Sequence, residues 1–140
     1  MGKTAIYART QNNITEKDGM NRQIAACMEH TDSADVEIYK DYGSGADMTR
    51  PEFVRMMQGV RSGAVTRIIT PSISRLSRNI IQATELMQEI EVCGCSLLMI
   101  AEGIDTAKEY RTENEAERLR EMISAWERRG VVKRRGRHAV

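Results

Sequence analysis

A mostly parallel α/β sheet with helices on both faces, followed by a long C-terminal helix, is the fold class this sequence predicts. Strand-type segments alternate with helical ones four times along 140 residues, and such alternation places strands side by side with crossover helices on the sheet faces. The hydrophobic share is 41%, enough for a packed core. The length is that of one domain, since domains usually hold roughly 100–150 residues.

The elements follow in order. Residues 4–9 (TAIYAR) form a short strand. Residues 18–29 carry Met20, Ile24, Cys27 and Met28 at helical spacing. Residues 36–40 (VEIYK) alternate like a strand. Residues 41–50 hold Gly43 and Gly45 without apolar periodicity and form a loop. Pro51 suits the first turn of a helix whose apolar face is Phe53, Met56, Met57 and Val60, ended by Gly63. Residues 67–70 (RIIT) are a strand closed by Pro71, and a polar stretch, 72–78, follows. Residues 79–93 form a helix with Ile80, Ala83, Met87 and Ile90 on one face and Gly94 as its stop. Residues 96–101 (SLLMIA) are continuously apolar, which predicts a strand buried on both faces. Thr112 and Glu115 make a capping box for the last helix, 113–129, striped by Ala116, Leu119, Ile123 and Trp126 and ended by Gly130. The domain therefore spans 1–129, and 130–140 is a basic tail.

Composition excludes several classes. No apolar run approaches the roughly 18 residues of a membrane span, and no signal-peptide pattern opens the chain. Three Cys is an odd number and disfavours a disulfide scaffold, so a cytoplasmic protein is expected. Aromatic residues are only 4%, so the core draws on Ile, Val, Leu, Ala and nine Met. The net charge of +1 hides an asymmetry. Six basic residues (Arg128, Arg129, Lys133, Arg134, Arg135, Arg137) close the chain without an acid, which leaves 15 basic against 20 acidic residues in 1–127, a net of −5. Basic tails of this kind bind nucleic acid or other polyanions.

In parallel sheets the functional crevice lies at the carboxyl ends of the strands. Segments 9–18, 41–50 and 71–78 fall there and bring Arg9, Arg50, Arg75 and Arg78 to one edge. Guanidinium groups gathered in this way repel one another unless anions or carboxylates sit among them, and their forked donors suit phosphate. Two other clusters are weaker. Cys27 and His30, with Cys93 and Cys95, have zinc-type residue identities, but Cys27 lies on an apolar helix face, where a thiol packs as a small hydrophobe, and no metal or other cofactor is expected. The Gly43-Ser44-Gly45 loop lacks the Lys-Ser/Thr ending of a nucleotide-binding P-loop.

The loop residues also carry a family pattern. Tyr7-Ala8-Arg9, Gln23, Asp41-Tyr42-Gly43-Ser44-Gly45, Arg50-Pro51 and Ser74-Arg75-Leu76-Ser77-Arg78 together resemble the serine recombinases, the family of resolvases, invertases and large serine integrases. The likeness runs over residues 4–129. It implies a resolvase-like catalytic domain in which a serine hydroxyl attacks a DNA phosphodiester without metal. An arginine cluster, matched by Arg9, Arg50, Arg75 and Arg78, would stabilise the transition state. Tyr7, Gln23, Asp41 and Ser44 match supporting residues, and Glu127-Arg128 resembles the acid–arginine pair of a dimer-forming helix. The resemblance thus implies a homodimer through the last helix, with Leu119, Met122, Ile123 and Trp126 at the interface.

The departures are chemical. The family nucleophile follows the first-motif Arg by two residues, and here that position is Gln11. The acids expected before Arg75 and before Arg50-Pro51 are Ser74 and Thr49. An amide is no nucleophile toward phosphorus, and loss of a nucleophile costs roughly 10⁶ in rate in a hydrolase. Thr10 is the adjacent hydroxyl, but strand alternation sends residues 10 and 11 to opposite sides. Family members continue beyond the long helix into DNA-binding domains, whereas Val140 lies ten residues past Gly130, so base readout is not expected. The leading expectation is a catalytically inactive pseudo-recombinase. It would bind DNA backbone through the edge arginines and tail (Arg128, Arg129, Lys133, Arg134, Arg135), or pair with a protein partner such as an active recombinase. Two alternatives stand beside it: a small inhibitor of mobile-element or phage origin acting on another nucleic-acid enzyme, and an active recombinase catalytic fragment.

Overall fold

The computed structural model describes residues 2–12, 17–32 and 34–107. Among the described residues nine elements run in the order β1 (Lys3–Thr10), α1 (Lys17–Met28), β2 (Val36–Tyr42), α2 (Pro51–Ser62), β3 (Val65–Thr70), α3 (Ile73–Leu76), α4 (Ile80–Val92), β4 (Ser96–Met99) and β5 (Ile104–Asp105). The strands form one sheet in the order β2-β1-β3-β4-β5. The first three pairings are parallel and only β4–β5 is antiparallel. The predicted mostly parallel sheet with helices on both faces is therefore the observed one. The expected last helix, 113–129, and the tail lie outside the described residues.

Two layers flank the sheet. On one face α2, α3 and α4 pack Phe53, Met56, Met57, Val60, Ile73, Leu76, Ala83, Leu86 and Ile90 against Ala5, Tyr7, Tyr39, Ile68, Leu97 and Met99. On the other, Cys27 of α1 meets Ile6 and Ile69. The strand buried on both faces is β1, whose residues from Thr4 to Thr10 are all buried. That corrects the expectation for β4. Leu97 and Met99 are buried, but Ser96 and Leu98 are half-covered, and Ile100 has left the strand. The reason is position: β1 lies between β2 and β3 with helices over both faces, whereas among the described residues β4 meets a small cluster on the α1 side. In α1, Met20 and Cys27 are buried as the spacing predicted, but Met28 is exposed.

Local chemistry explains the boundaries. Pro51 opens α2, and Gly63 closes it at φ 83° with its N–H donating to Val60 O, a left-handed conformation that favours glycine. Asn79 caps α4 by accepting from the Gln82 N–H at 3.0 Å. Two elements went unread in the sequence. The single turn α3 is too short to show periodicity, although Ser72 caps it by accepting from Ser74 N–H and Ile73 and Leu76 anchor it in the core. The two-residue β5 rests on a hairpin with β4 and on Arg67, which meets Asp105 through two 3.0 Å bonds.

On the rim, the Glu37 carboxylate accepts from Lys3, from Arg55 and, at 3.0 Å, from the Tyr39 hydroxyl. The Lys3 bond, then that of Arg55, holds the carboxyl of Glu37 down to about 2. A carboxylate depressed on folding stabilises the native state above its ordinary value near 4.5, and that contribution is lost as pH falls toward 2. Glu37→Gln is therefore expected to flatten part of the fall in urea midpoint across that acid range while changing the slope little above it, which unfolding curves at a series of pH values will check.

Candidate anion-binding site

The site stands where the sheet reverses its strand order, at the carboxyl ends of β1, β2 and β3. Strand alternation puts Tyr7 and Arg9 of β1 on the α2–α3 side, with Ile6 in the cluster on the opposite face. Arg9 is 1% exposed. Its Nε donates to Arg75 O at 3.2 Å, and its two terminal nitrogens donate to Gly43 O at 2.6 Å and Ser74 O at 3.1 Å. The main chain of Arg9 is held as firmly. Its N–H donates to Gln23 Oε1 at 3.1 Å, and its carbonyl accepts from Gln23 Nε2 at 3.0 Å and from the Arg75 guanidinium at 3.0 Å. Gln23 therefore ties α1 to the end of β1.

Arg50 is 2% exposed, immediately before α2. It donates to Asp47 O at 2.6 Å, to Arg75 O at 2.8 Å and to Leu76 O. Its guanidinium lies 4.8 Å from the Phe53 ring centre and 5.5 Å from that of Tyr7, a favourable use of the ring quadrupole. No ion pair with a carboxylate reaches Arg9 or Arg50 among the described residues. Burial first, and then the charges of Arg50, Arg78 and Arg75, lower the Arg9 guanidinium to about 10, so it remains a cation at neutral pH.

Asp41 supports this arrangement from β2. It accepts from the Tyr7 hydroxyl at 2.8 Å and from the N–H groups of Glu52 and Phe53 at 3.0 and 2.8 Å. A strand carboxylate thereby caps α2, whose own capping residue, Arg50, makes no side-chain cap bond. Burial, opposed by the Arg50 charge, pushes the Tyr7 phenol well above its ordinary value, so it stays neutral and donates.

The structure brings Arg9, Arg50, Arg75 and the backbone of Arg78 together, and it leaves other expected residues at the margin. Arg78 donates its N–H to Gly45 O at 3.3 Å, while its side chain is exposed. Gly45 fits because a Cβ there would lie 2.8 Å from Arg78 Cγ and 2.9 Å from an Arg9 nitrogen. Ser44 is exposed and accepts from the Ala46 N–H at 3.1 Å. Ser74 is half-buried, its hydroxyl 2.6 Å from that of Ser72. Thr49 donates to Asp47. Gln11 is exposed just beyond β1. Thr10 is buried on the face of Ile6, away from the arginines, and donates to Asn12 O at 3.2 Å. Arg128, Arg129, Lys133, Arg134, Arg135, Leu119, Met122, Ile123, Trp126 and Glu127 lie outside the described residues. Cys27 and Cys95 fall in core clusters on opposite sheet faces, and burial pushes each thiol up to about 12. What the sequence did not announce is Asp47, whose carbonyl serves Arg50, and Glu102, a buried carboxylate accepting from the Ile73 N–H at 3.4 Å.

Fold and site together define a resolvase-type catalytic domain, with its arginines at the carboxyl edge of a parallel sheet. The model of the resolvase N-terminal domain family matches residues 4–139. The chain belongs to that family, the catalytic domains of the serine recombinases. Among solved structures, it resembles the N-terminal catalytic domain of TP901-1 integrase at 24% identity and a TM-score of 0.68, over 91% of this chain and 97% of that one. A resolvase family site-specific recombinase from Streptococcus pneumoniae matches at 25% identity and a TM-score of 0.63, over 93% and 95%. The first open reading frame of transposon ISC1904 from Sulfolobus solfataricus P2 matches at 24% identity and a TM-score of 0.62, over 91% and 85%. No curated protein sequence matches the chain. No helix among the described residues is long and apolar enough to cross a membrane.

Asp41→Ala removes the cap of α2 and leaves the Tyr7 hydroxyl without its acceptor. It is expected to destabilise the protein by about 2–4 kcal/mol, against about 1 kcal/mol for Tyr7→Phe, as read from denaturant unfolding of both variants.

Proposed function

We propose that this chain is a non-cleaving member of the serine recombinase family that holds the DNA backbone through the arginine edge. One observation carries the reading: Gln11 stands where the family pattern has its nucleophile, beside arginines that remain in place. The adjacent hydroxyl, Thr10, is buried on the other side of the sheet. Ser74 and Thr49 replace two acids of the pattern, so the site keeps its cations and Asp41 but loses the nucleophile and those two carboxylates. Guanidinium groups that have lost two neighbouring acids favour an anion, and a phosphate of the DNA backbone suits their forked donors; the relatives include an integrase and a site-specific recombinase. The basic residues from Arg128 onward would add sequence-independent contacts. Residues Leu119, Met122, Ile123 and Trp126 would pair the chain with itself or with an active relative, and the second arrangement would regulate a recombinase by forming an inactive heterodimer. The net charge of −5 over residues 1–127 favours a second reading, an inhibitor that binds another nucleic-acid enzyme.

Fluorescence anisotropy with a generic DNA duplex across salt concentrations tests the first reading. Binding that weakens steeply with salt is expected. No binding at low salt would reject it, and capture of a protein partner that survives nuclease treatment would then favour the inhibitor. The same duplex run on a denaturing gel is expected to show no covalent protein–DNA adduct with the natural chain. Gln11→Ser is expected to remain inactive because Ser74 and Thr49 still replace the acids; strand cleavage by that single variant would make position 11 the sole defect.

A further inference from the structure

We propose that Glu102 is a positioning residue for the 72–78 turn: its buried carboxyl fixes the first N–H of α3 to the chain between β4 and β5. The anchor stands on the geometry alone, and its effect on DNA affinity rests on the DNA-binding reading.

Glu102 comes to α3 by main-chain register. Ile100 N–H donates to Thr70 O at 3.1 Å, and Ala101 N–H donates to Pro71 O at 2.8 Å. These bonds run the chain after β4 alongside the chain after β3. Gly103 then turns it back at φ 67°, its N–H donating to Met99 O and Ile100 O at 3.0 Å each, a conformation that favours glycine. Glu102, between Ala101 and Gly103, is 6% exposed and accepts from the Ile73 N–H at 3.4 Å. That N–H is the first of α3, one of the donors a helix start cannot satisfy from within. Ser72 Oγ takes the Ser74 N–H at 3.2 Å, and Ser72 O takes that of Arg75 at 3.1 Å. Ser72 belongs to the turn, whereas Glu102 reaches it from 29 residues away. Carbonyls of Ser74, Arg75 and Leu76 accept from Arg9 and Arg50, so distant residues hold α3 at its start as well as along its carbonyls.

A buried carboxyl is costly as an anion. Burial raises the Glu102 carboxyl above its ordinary value near 4.5, opposed by its own N–H and that of Ile73. The charged groups of the neighbouring elements are engaged elsewhere: Arg75 of α3 donates to Arg9 O, and Arg67 of β3 pairs with Asp105 of β5. A carboxyl raised on folding holds its proton more tightly in the closed structure, so the anchor weakens as pH rises through the raised value. The neutral acid still offers its carbonyl oxygen to Ile73.

Two variants of similar size separate anchoring from space filling. Glu102→Gln keeps an acceptor and cannot titrate, and Glu102→Met fills the volume without an acceptor. The readout is the opening equilibrium of the Ile73 amide from hydrogen exchange, referenced to the buried Ile69 amide of β3 at each pH. In the natural chain Ile73 opening is expected to increase as pH rises above about 4.5, and in Glu102→Gln it is expected to stay constant. Glu102→Met is expected to open about tenfold more often than Glu102→Gln, the effect of a buried N–H that has lost its acceptor. Duplex binding at one salt concentration is expected to be kept in Glu102→Gln and weakened in Glu102→Met, by about tenfold at most. Equal Ile73 opening in the two variants would overturn the anchor, and so would a pH course that Glu102→Gln leaves unchanged. Equal duplex affinity in the two variants, with Ile73 loosened in Glu102→Met, would overturn the effect on DNA. If Glu102→Met does not fold, the pH course of the natural chain against Glu102→Gln decides the anchor. Failure of the natural chain to bind duplex would reject the functional reading and with it the effect on affinity, while Ile73 exchange still judges the anchor.

Discussion

Burying a guanidinium without a carboxylate partner is costly, and among the described residues neither Arg9 nor Arg50 has an ion pair. What offsets the cost is a set of main-chain carbonyls drawn from the loop after β2 and from α3. Those carbonyls would otherwise be orphans in a short turn and a loop without regular structure. The two deficits cancel: the cations need acceptors, and the loops need donors. The carboxyl edge of the sheet is held together through this exchange, and Arg75, Arg78, Ser74 and Gly45 take their places from it.

The remaining supports serve the same edge. Asp41 fastens α2 to β2 through two backbone N–H groups and fastens Tyr7 through its hydroxyl. That leaves Arg50 free to turn its guanidinium inward over Phe53 and Tyr7 rather than cap its own helix. Gln23 plays the equivalent part for α1 by binding both backbone groups of Arg9. Family features that look like catalytic accessories in the linear pattern are thus also the ties between layers. This gives a physical reason why an arginine edge can persist in a chain that has Gln11 in the nucleophile position: removing these residues would loosen the fold as well as the chemistry.

The order of elements and the edge on which the arginines gather were legible in the sequence, because alternating strand and helix periods and the position of each loop after its strand are local properties. The α3 turn and β5 were not legible: at four and two residues they are shorter than any period, and both are held by distant partners such as Arg9, Arg50 and Arg67. The burial of β4 was misread because a continuous apolar run reports hydropathy, whereas coverage depends on which helices lie over each face.

By itself, the sequence determined the fold class, the family pattern and the chemical identity of position 11, all of which are written in residue types at fixed spacing. Only the tertiary structure decided how the arginines are employed. Arg9, Arg50 and Arg78 are indistinguishable as letters, yet two are buried against carbonyls and one is exposed. The physical reason is that a guanidinium acquires its role from the acceptors around it, and those acceptors are backbone oxygens from segments as many as 66 residues away along the chain, which no local pattern records.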